Sequence, residues 1–212
     1  MNPTFDTNTL NNNNGLKLAV EAIRSNDKVM MQRALQQLSD INVRDENRNT
    51  LLVLVVHAKR YGLTRILLDA GADINVMGRH NRTPISFAAE AKSIKVLNLL
   101  LQRGGDPNLR AIGDFYNGRP PIHGAADSNS PKCIELLLAY GADINARDEE
   151  WQRTALHVSL DAYPALLAAR YLILHGADIH ARDKTGSTPL QEAIGSGAHS
   201  IIALLRQKGA FM

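Results

Sequence analysis

Two strings in the chain end in histidine after a proline or threonine three residues earlier: "PPIH" at 120–123 and "TALH" at 154–157. His123 and His157 have the side chain most suited to moving protons near neutral pH. Two more histidines, His175 and His180, flank a glycine turn and invite a metal reading. That reading lacks support, because no Cys, Asp or Glu converges on them at a ligand spacing. The single cysteine, Cys133, precedes the apolar run "IELLLAYG" and occupies the same phase as Val96 one unit earlier. It reads as a small buried apolar residue, since a reactive thiol needs an electropositive, accessible setting. The carboxylates of "DEE" at 148–150 resemble an acid/base pair, but Asp148 shares its phase with Asp45 and Asp183. All three suit turns in which a short carboxylate accepts bonds from nearby backbone N–H groups. No glycine-rich phosphate loop follows a strand, and every Ser, His and Asp combination falls on recurring positions. No catalytic residue, cofactor or metal is expected.

The bulk properties agree. Net charge is +3, with 24 Lys plus Arg against 21 Asp plus Glu, too small for nucleic-acid binding by bulk electrostatics. Four Phe, five Tyr and one Trp are too few for a base-stacking platform. One cysteine supports no internal disulfide and suits a reducing compartment. The longest strongly apolar run, "LLVLVV" at 51–56, is far shorter than the roughly 18 residues of a membrane span. The polar start "MNPTFDTNTLNNNNG" lacks the pattern of a secretory signal. The expected location is the cytoplasm.

The recurring positions come from an internal repeat. "GADIN" at 71–75 returns as "GGDPN" at 104–108, "GADIN" at 141–145 and "GADIH" at 176–180, and "GAFM" begins a fifth copy. A second marker keeps the same phase: "NTLLV", "RTPIS", "RPPIH", "RTALH" and "STPLQ". Its Thr, or Pro120 in its place, falls at 50, 83, 120, 154 and 188, in steps of 33, 37, 34 and 34. Between the markers Ile94, Leu97, Leu100 and Leu101 recur at three and four, the spacing of an apolar helix face. Thr83 caps a first helix that opens with Pro84, and Ser130 with Pro131 starts a second helix in the same way. Each "GAD" glycine follows the last leucine, where a helix ends in the left-handed region.

A unit of two short helices and a turn, marked by Thr-Pro-Leu-His and about 33 residues long, resembles the ankyrin repeat family. The markers phase five copies, and the plain "GADIN" style is similar to stand-alone ankyrin proteins of bacteria. The resemblance implies an all-α solenoid of stacked helix-turn-helix units with hairpin-like finger loops. Residues 1–14 are expected to be a disordered tail. Residues 15–212 form one domain: a degenerate polar cap at 15–44, then repeats at about 45–77, 78–110, 111–147, 148–182 and 183–212. In this family the motif histidine ties neighbouring turns together by hydrogen bonds, so His123 and His157 take that role.

The resemblance further implies that function lies on the finger tips and on the exposed flank of each first helix, a concave palm that binds proteins. The departures from the repeat then point to contact residues. Trp151 lies at the tip of the fourth finger, flanked by Glu150 and Arg153, and Trp and Arg dominate protein-interface hot spots. The 37-residue step leaves "LRAIGDFYNGRPP" about four residues longer than its counterparts and places Phe115 and Tyr116 on the third finger. Arg79, His80, Arg82, Arg110 and Arg119 predict an electropositive middle of the palm, suited to a partner with acidic groups. The expected function is non-catalytic binding of another protein by a monomer. In bacterial proteins of this style that implies immunity, the neutralisation of a cognate toxin. An adaptor or secreted effector that captures a host or regulatory protein is the alternative.

Overall fold

The computed structural model describes residues 14–78, 82–111, 118–161 and 166–211, arranged in two compact units, Met1–Asp106 and Pro107–Met212. Among the described residues the first unit has six helices: α1 (Asn14–Ser25), α2 (Lys28–Gln36), α3 (Leu51–His57), α4 (Tyr61–Asp69), α5 (Pro84–Glu90) and α6 (Ile94–Gln102). They pack as pairs, α1 with α2, α3 with α4 and α5 with α6. Within the unit α1, α3 and α5 form one row and α2, α4 and α6 the other. The second unit repeats the plan with α7 (Pro121–Asp127), α8 (Pro131–Ala139), α9 (Ala155–Leu160), α10 (Leu167–Leu174), α11 (Pro189–Gly195) and α12 (His199–Gln207). Here α7, α9 and α11 form one row and α8, α10 and α12 the other.

Local chemistry sets where the helices start. The Thr83 hydroxyl accepts the Ser86 N–H at 3.1 Å, and the Thr50 hydroxyl accepts that of Val53 at 3.4 Å. Thr188 and Gln191 cap each other: the Thr188 N–H donates to Gln191 Oε1 at 2.9 Å while Thr188 Oγ1 accepts from the Gln191 N–H. Helix α2 starts on Asp27, whose carboxylate accepts two backbone N–H bonds. Helices α4, α6, α8, α10 and α12 end on Gly71, Gly104, Gly141, Gly176 and Gly209, with φ between 85° and 94°, where a side chain would be strained.

A helix of seven to nine residues is marginal alone, so the stability of each pair resides in its apolar contacts. Leu97 and Leu100 in the first unit, and Leu137, Leu156 and Leu172 in the second, are fully buried. In α3 all six residues from Leu51 to Val56 are buried. That explains why the most apolar run in the sequence is a short core helix. Cys133 is also fully buried on α8, in the place of a core aliphatic residue.

Candidate functional site

The fingers between the helix pairs are held by three kinds of polar rung. First, the Asp after each finger arginine closes the turn: the Asp45 carboxylate accepts the Asn49 N–H at 2.7 Å, Asp148 accepts that of Trp151 at 2.7 Å, and Asp183 accepts those of Thr185 and Ser187, each at 2.8 Å. Second, the Asn of each "DIN" links one turn to the next. Asn42 accepts the Asp73 N–H and Asn75 that of Asp106 in the first unit, while Asn108 accepts from Asp143 and Asn145 from Asp178 in the second. Third, an arginine at the base of the finger clamps it to its neighbour in three of the fingers. Arg147 donates to Gln152 O of its own finger at 3.0 Å and to Arg182 O of the next; Arg110 donates to Gly118 O and to Arg147 O; Arg44 donates to Arg48 O and to Met77 O. Sequence reasoning missed the arginine rungs. The signal was the recurrent Arg-Asp pair at 44–45, 147–148 and 182–183.

The motif histidines sit inside this scaffold. His123 Nε2 donates to Ala146 O at 2.9 Å, and burial drives the imidazole down to about 4 although that carbonyl favours the charged form. His157 Nε2 points at Ser187 O at 3.3 Å, and its Nδ1 accepts from both the Thr154 N–H at 3.2 Å and the Thr154 hydroxyl at 2.8 Å. Burial lowers its pKa too, again against its backbone hydrogen bond. Both rings are neutral at physiological pH and join one finger to the next. His175 stacks on Tyr171 with centroids 3.8 Å apart, and His180 lies 5.0 Å from the Phe211 ring. Among the described residues no three His, Cys, Asp or Glu side chains are placed to hold a metal ion.

The residues expected to contact a partner fall into three groups. Arg79, His80, Phe115 and Tyr116 lie outside the described residues. Trp151 and Glu150 are exposed at the fourth finger tip, with Trp151 at 50% exposure, and Arg119 is half-buried where the third finger returns to pair with Ala111. The third group departs from the expectation of rim cations. Arg82 is 7% exposed, ion-paired to Glu90, and its guanidinium lies 4.0 Å over the Phe87 ring. Arg153 reaches Asp161 at 2.8 Å and Glu192 at 3.2 Å, and donates to His157 O at 2.9 Å. Burial pushes the Glu192 carboxyl up, with Arg153 pulling the other way. Of the arginines expected to make the middle of the palm electropositive, Arg82 has its charge matched by Glu90, and Arg110 is turned onto backbone carbonyls of its own finger and the next. Arg82, Arg110 and Arg153 are each committed to a carboxylate or to backbone carbonyls, because the motif places an acid or a returning finger within reach.

Paired helices joined by finger turns, with ladders running from one turn to the next, define a repeat protein whose recurring parts are scaffold. The ankyrin repeat model matches residues 16–111 and 122–212, and the chain belongs to the ankyrin repeat family. The fold is similar to the crystal structure of the ankyrin repeat domain of Bcl-3, described as a unique member of the IkappaB protein family. The TM-score is 0.83 and the identity 27%, over 92% of this chain and 86% of that one. No curated protein matches the sequence. Ankyrin repeats generally mediate protein–protein interaction. Among the described residues no helix is long and apolar enough to cross a membrane.

Proposed function

We propose that this chain acts without catalysis, in the cytoplasm and as a monomer, by binding another protein through its finger tips and the exposed flanks of its first helices. One observation carries the reading. Trp151, the only tryptophan, stands half exposed on a finger whose other parts are tied down. A large amphipathic ring on a rigid support loses little entropy on binding, and such rings dominate interface affinity. Glu150 precedes Trp151 directly, and Arg119, Phe115 and Tyr116 belong to the third finger, the preceding one in sequence. Arg79 and His80 are the contacts proposed for the second finger. The finer proposal is immunity: the protein covers a cognate bacterial toxin and blocks its action.

Affinity capture from the source cell tests the reading. Wild-type protein should retain a defined partner, and Trp151→Ala should lose it while the circular dichroism spectrum is unchanged. Equal capture by the two proteins would move the binding site away from the fourth finger. If the partner is a toxin encoded beside this gene, co-expression should rescue growth, and a partner with no toxicity would favour an adaptor role.

A further inference from the structure

We infer that the edge of the first unit opposite its fingers is a second docking surface, which holds an extended acidic peptide segment of a partner protein. The inference is independent of the finger-tip reading above. Three loops form this edge, joining α1 to α2, α3 to α4 and α5 to α6. Because α1, α3 and α5 stack in one row and α2, α4 and α6 in the other, the loops follow one another along it. Two contacts tie the first loop to the second. The Arg60 guanidinium donates to Arg24 O at 3.4 Å, and the Lys28 stem lies over Gly62, where a Cβ would come within 2.6 Å of Lys28 Cε. The same loop position has a φ of 56° at Asn26, 57° at Lys59 and 54° at Lys92, and in the second unit Asn129 and Gly197 hold it. Glycine and asparagine suit that left-handed backbone. Lysine is the costlier choice there, and what it adds is an exposed positive charge.

Six cations line the edge: Arg24, Lys28, Lys59, Arg60, Lys92 and Lys95, of which Arg60 is half-buried and the rest exposed. The carboxylates beside them are Glu21, Asp27 and Glu90. Glu21 lies 3.8 Å from Arg24, Asp27 caps α2 by accepting two backbone N–H bonds, and Glu90 is ion-paired to Arg82. Even counted in full, the acids are outnumbered two to one. Among the described residues Lys28, Lys59, Lys92 and Lys95 form no ion pair, and Arg60 keeps its charge because its partner is a neutral carbonyl. The first turns of α2, α4 and α6 meet the edge without a carboxylate, and the positive ends of those helices add to the same field. The spacing then selects among anionic partners. Packed helices lie about 8–10 Å apart, so the cations recur at about that interval from loop to loop. An extended chain of the polyproline II type has three residues per turn and advances about 3.1 Å per residue, so every third side chain points the same way about 9 Å further on. The exposed Val29 and Tyr61 stand among the cations and offer apolar contact to the residues between. A lipid surface calls for a broader patch than a row one loop wide, and a nucleic acid would find a single exposed tyrosine for stacking.

A fluorescein-labelled dodecapeptide of four Glu-Glu-Ser repeats is titrated with the full-length protein at low salt, and its anisotropy is followed. Binding should saturate at one peptide per protein. It should weaken about tenfold or more in K59N/K92N, which removes two charges and keeps a residue suited to the left-handed turn. K28Q/K95Q, at helical positions, should weaken it to a similar degree, and circular dichroism should show both variants folded. K184Q/K208Q removes the same net charge from the second unit and should leave the affinity within about twofold of wild type, since exposed charges are screened over about 8 Å at physiological ionic strength. Equal losses in K59N/K92N and K184Q/K208Q, or no loss in both K59N/K92N and K28Q/K95Q, would overturn the inference. So would tighter binding to phosphatidylserine vesicles, or to a single-stranded oligothymidylate, than to the peptide, since either result names a different occupant. Trp151→Ala should leave the peptide affinity unchanged; a loss there would place the peptide on the fingers and overturn the inference. Failure of that variant to capture a cellular partner, with peptide binding intact, supports both surfaces as separate sites.

Discussion

The third and fourth fingers of the chain use the same histidine in two different states of satisfaction. In the fourth, Thr154 gives His157 Nδ1 two donors, its N–H and its hydroxyl. In the third, Pro120 stands where that threonine would be and has neither. His123 Nε2 must carry the proton that Ala146 O accepts, so Nδ1 is a bare lone pair, and it has no hydrogen-bond partner in a fully buried ring. An unmatched buried acceptor of this kind costs about 1–3 kcal/mol. One substitution in a recurring motif therefore leaves the backbone path intact and removes part of what secures it. The lesson is that a repeat tolerates loss of a bond in one unit because its neighbours and the remaining ladder keep the turn in place.

The largest expected effects test whether the two repeats share one core. Leu137→Ala and Leu172→Ala remove matched, fully buried leucines from α8 and α10, and each should cost about 2–5 kcal/mol in urea unfolding. Costs that differ by more than twofold would mean that the repeats are not equivalent where the comparison takes them to be. Acid comes next. His123 has a folded pKa of about 4, below the ordinary 6.5. The unfolded chain then takes up a proton that the folded ring refuses. The stability this ring confers is intact above pH 6.5, is lost as pH falls from 6.5 to 4, and changes no further below that. The loss amounts to on the order of 3 kcal/mol. Unfolding measured across that window should show it, and His123→Asn should reduce the slope.

Smaller changes exchange the two states directly. Thr154→Pro copies the third finger into the fourth and should cost about 1–3 kcal/mol through the lost cap and the orphaned His157 Nδ1. The reverse change, Pro120→Thr, should raise stability by about 1 kcal/mol, since the new donors outweigh the entropy that proline removes from the unfolded chain. A drop in melting temperature for Pro120→Thr would show that Nδ1 is satisfied in some other way. The smallest effect is expected at the exposed tip, where Trp151→Ala should alter stability by less than about 0.5 kcal/mol. A larger loss there would make the ring part of the scaffold and weaken its claim as a contact residue.

Much of the scaffold was legible from residue type and spacing. Thr83 before Pro84 announced a capped helix, and the "GAD" glycines announced the left-handed ends. The placement of Trp151 at an exposed tip followed from counting back from Thr154. The arginines were harder. Arg82 and Arg153 precede the motif threonine in a position that reads as solvent-facing, yet each has an acid eight residues later, Glu90 and Asp161, at the C-terminal end of the first helix that follows. That spacing was visible in the sequence, but its meaning depends on the finger returning over the helix.

What the sequence determined by itself is the local grammar: short helices, their caps, their glycine ends and the period that stacks them. These depend on contacts between residues three or four apart and on backbone preferences that no distant neighbour needs to supply. Only the tertiary structure decided which charges are available. Arg153 meets Glu192 across 39 residues, and Arg147 meets the carbonyl of Arg182 across 35. Such long-range pairing turns apparent surface cations into internal ties, because a guanidinium drawn under a neighbouring finger exchanges water for fixed oxygens. The Trp151 ring escaped the same fate. Its finger is held through backbone N–H and carbonyl groups, which leaves half of the indole surface facing solvent.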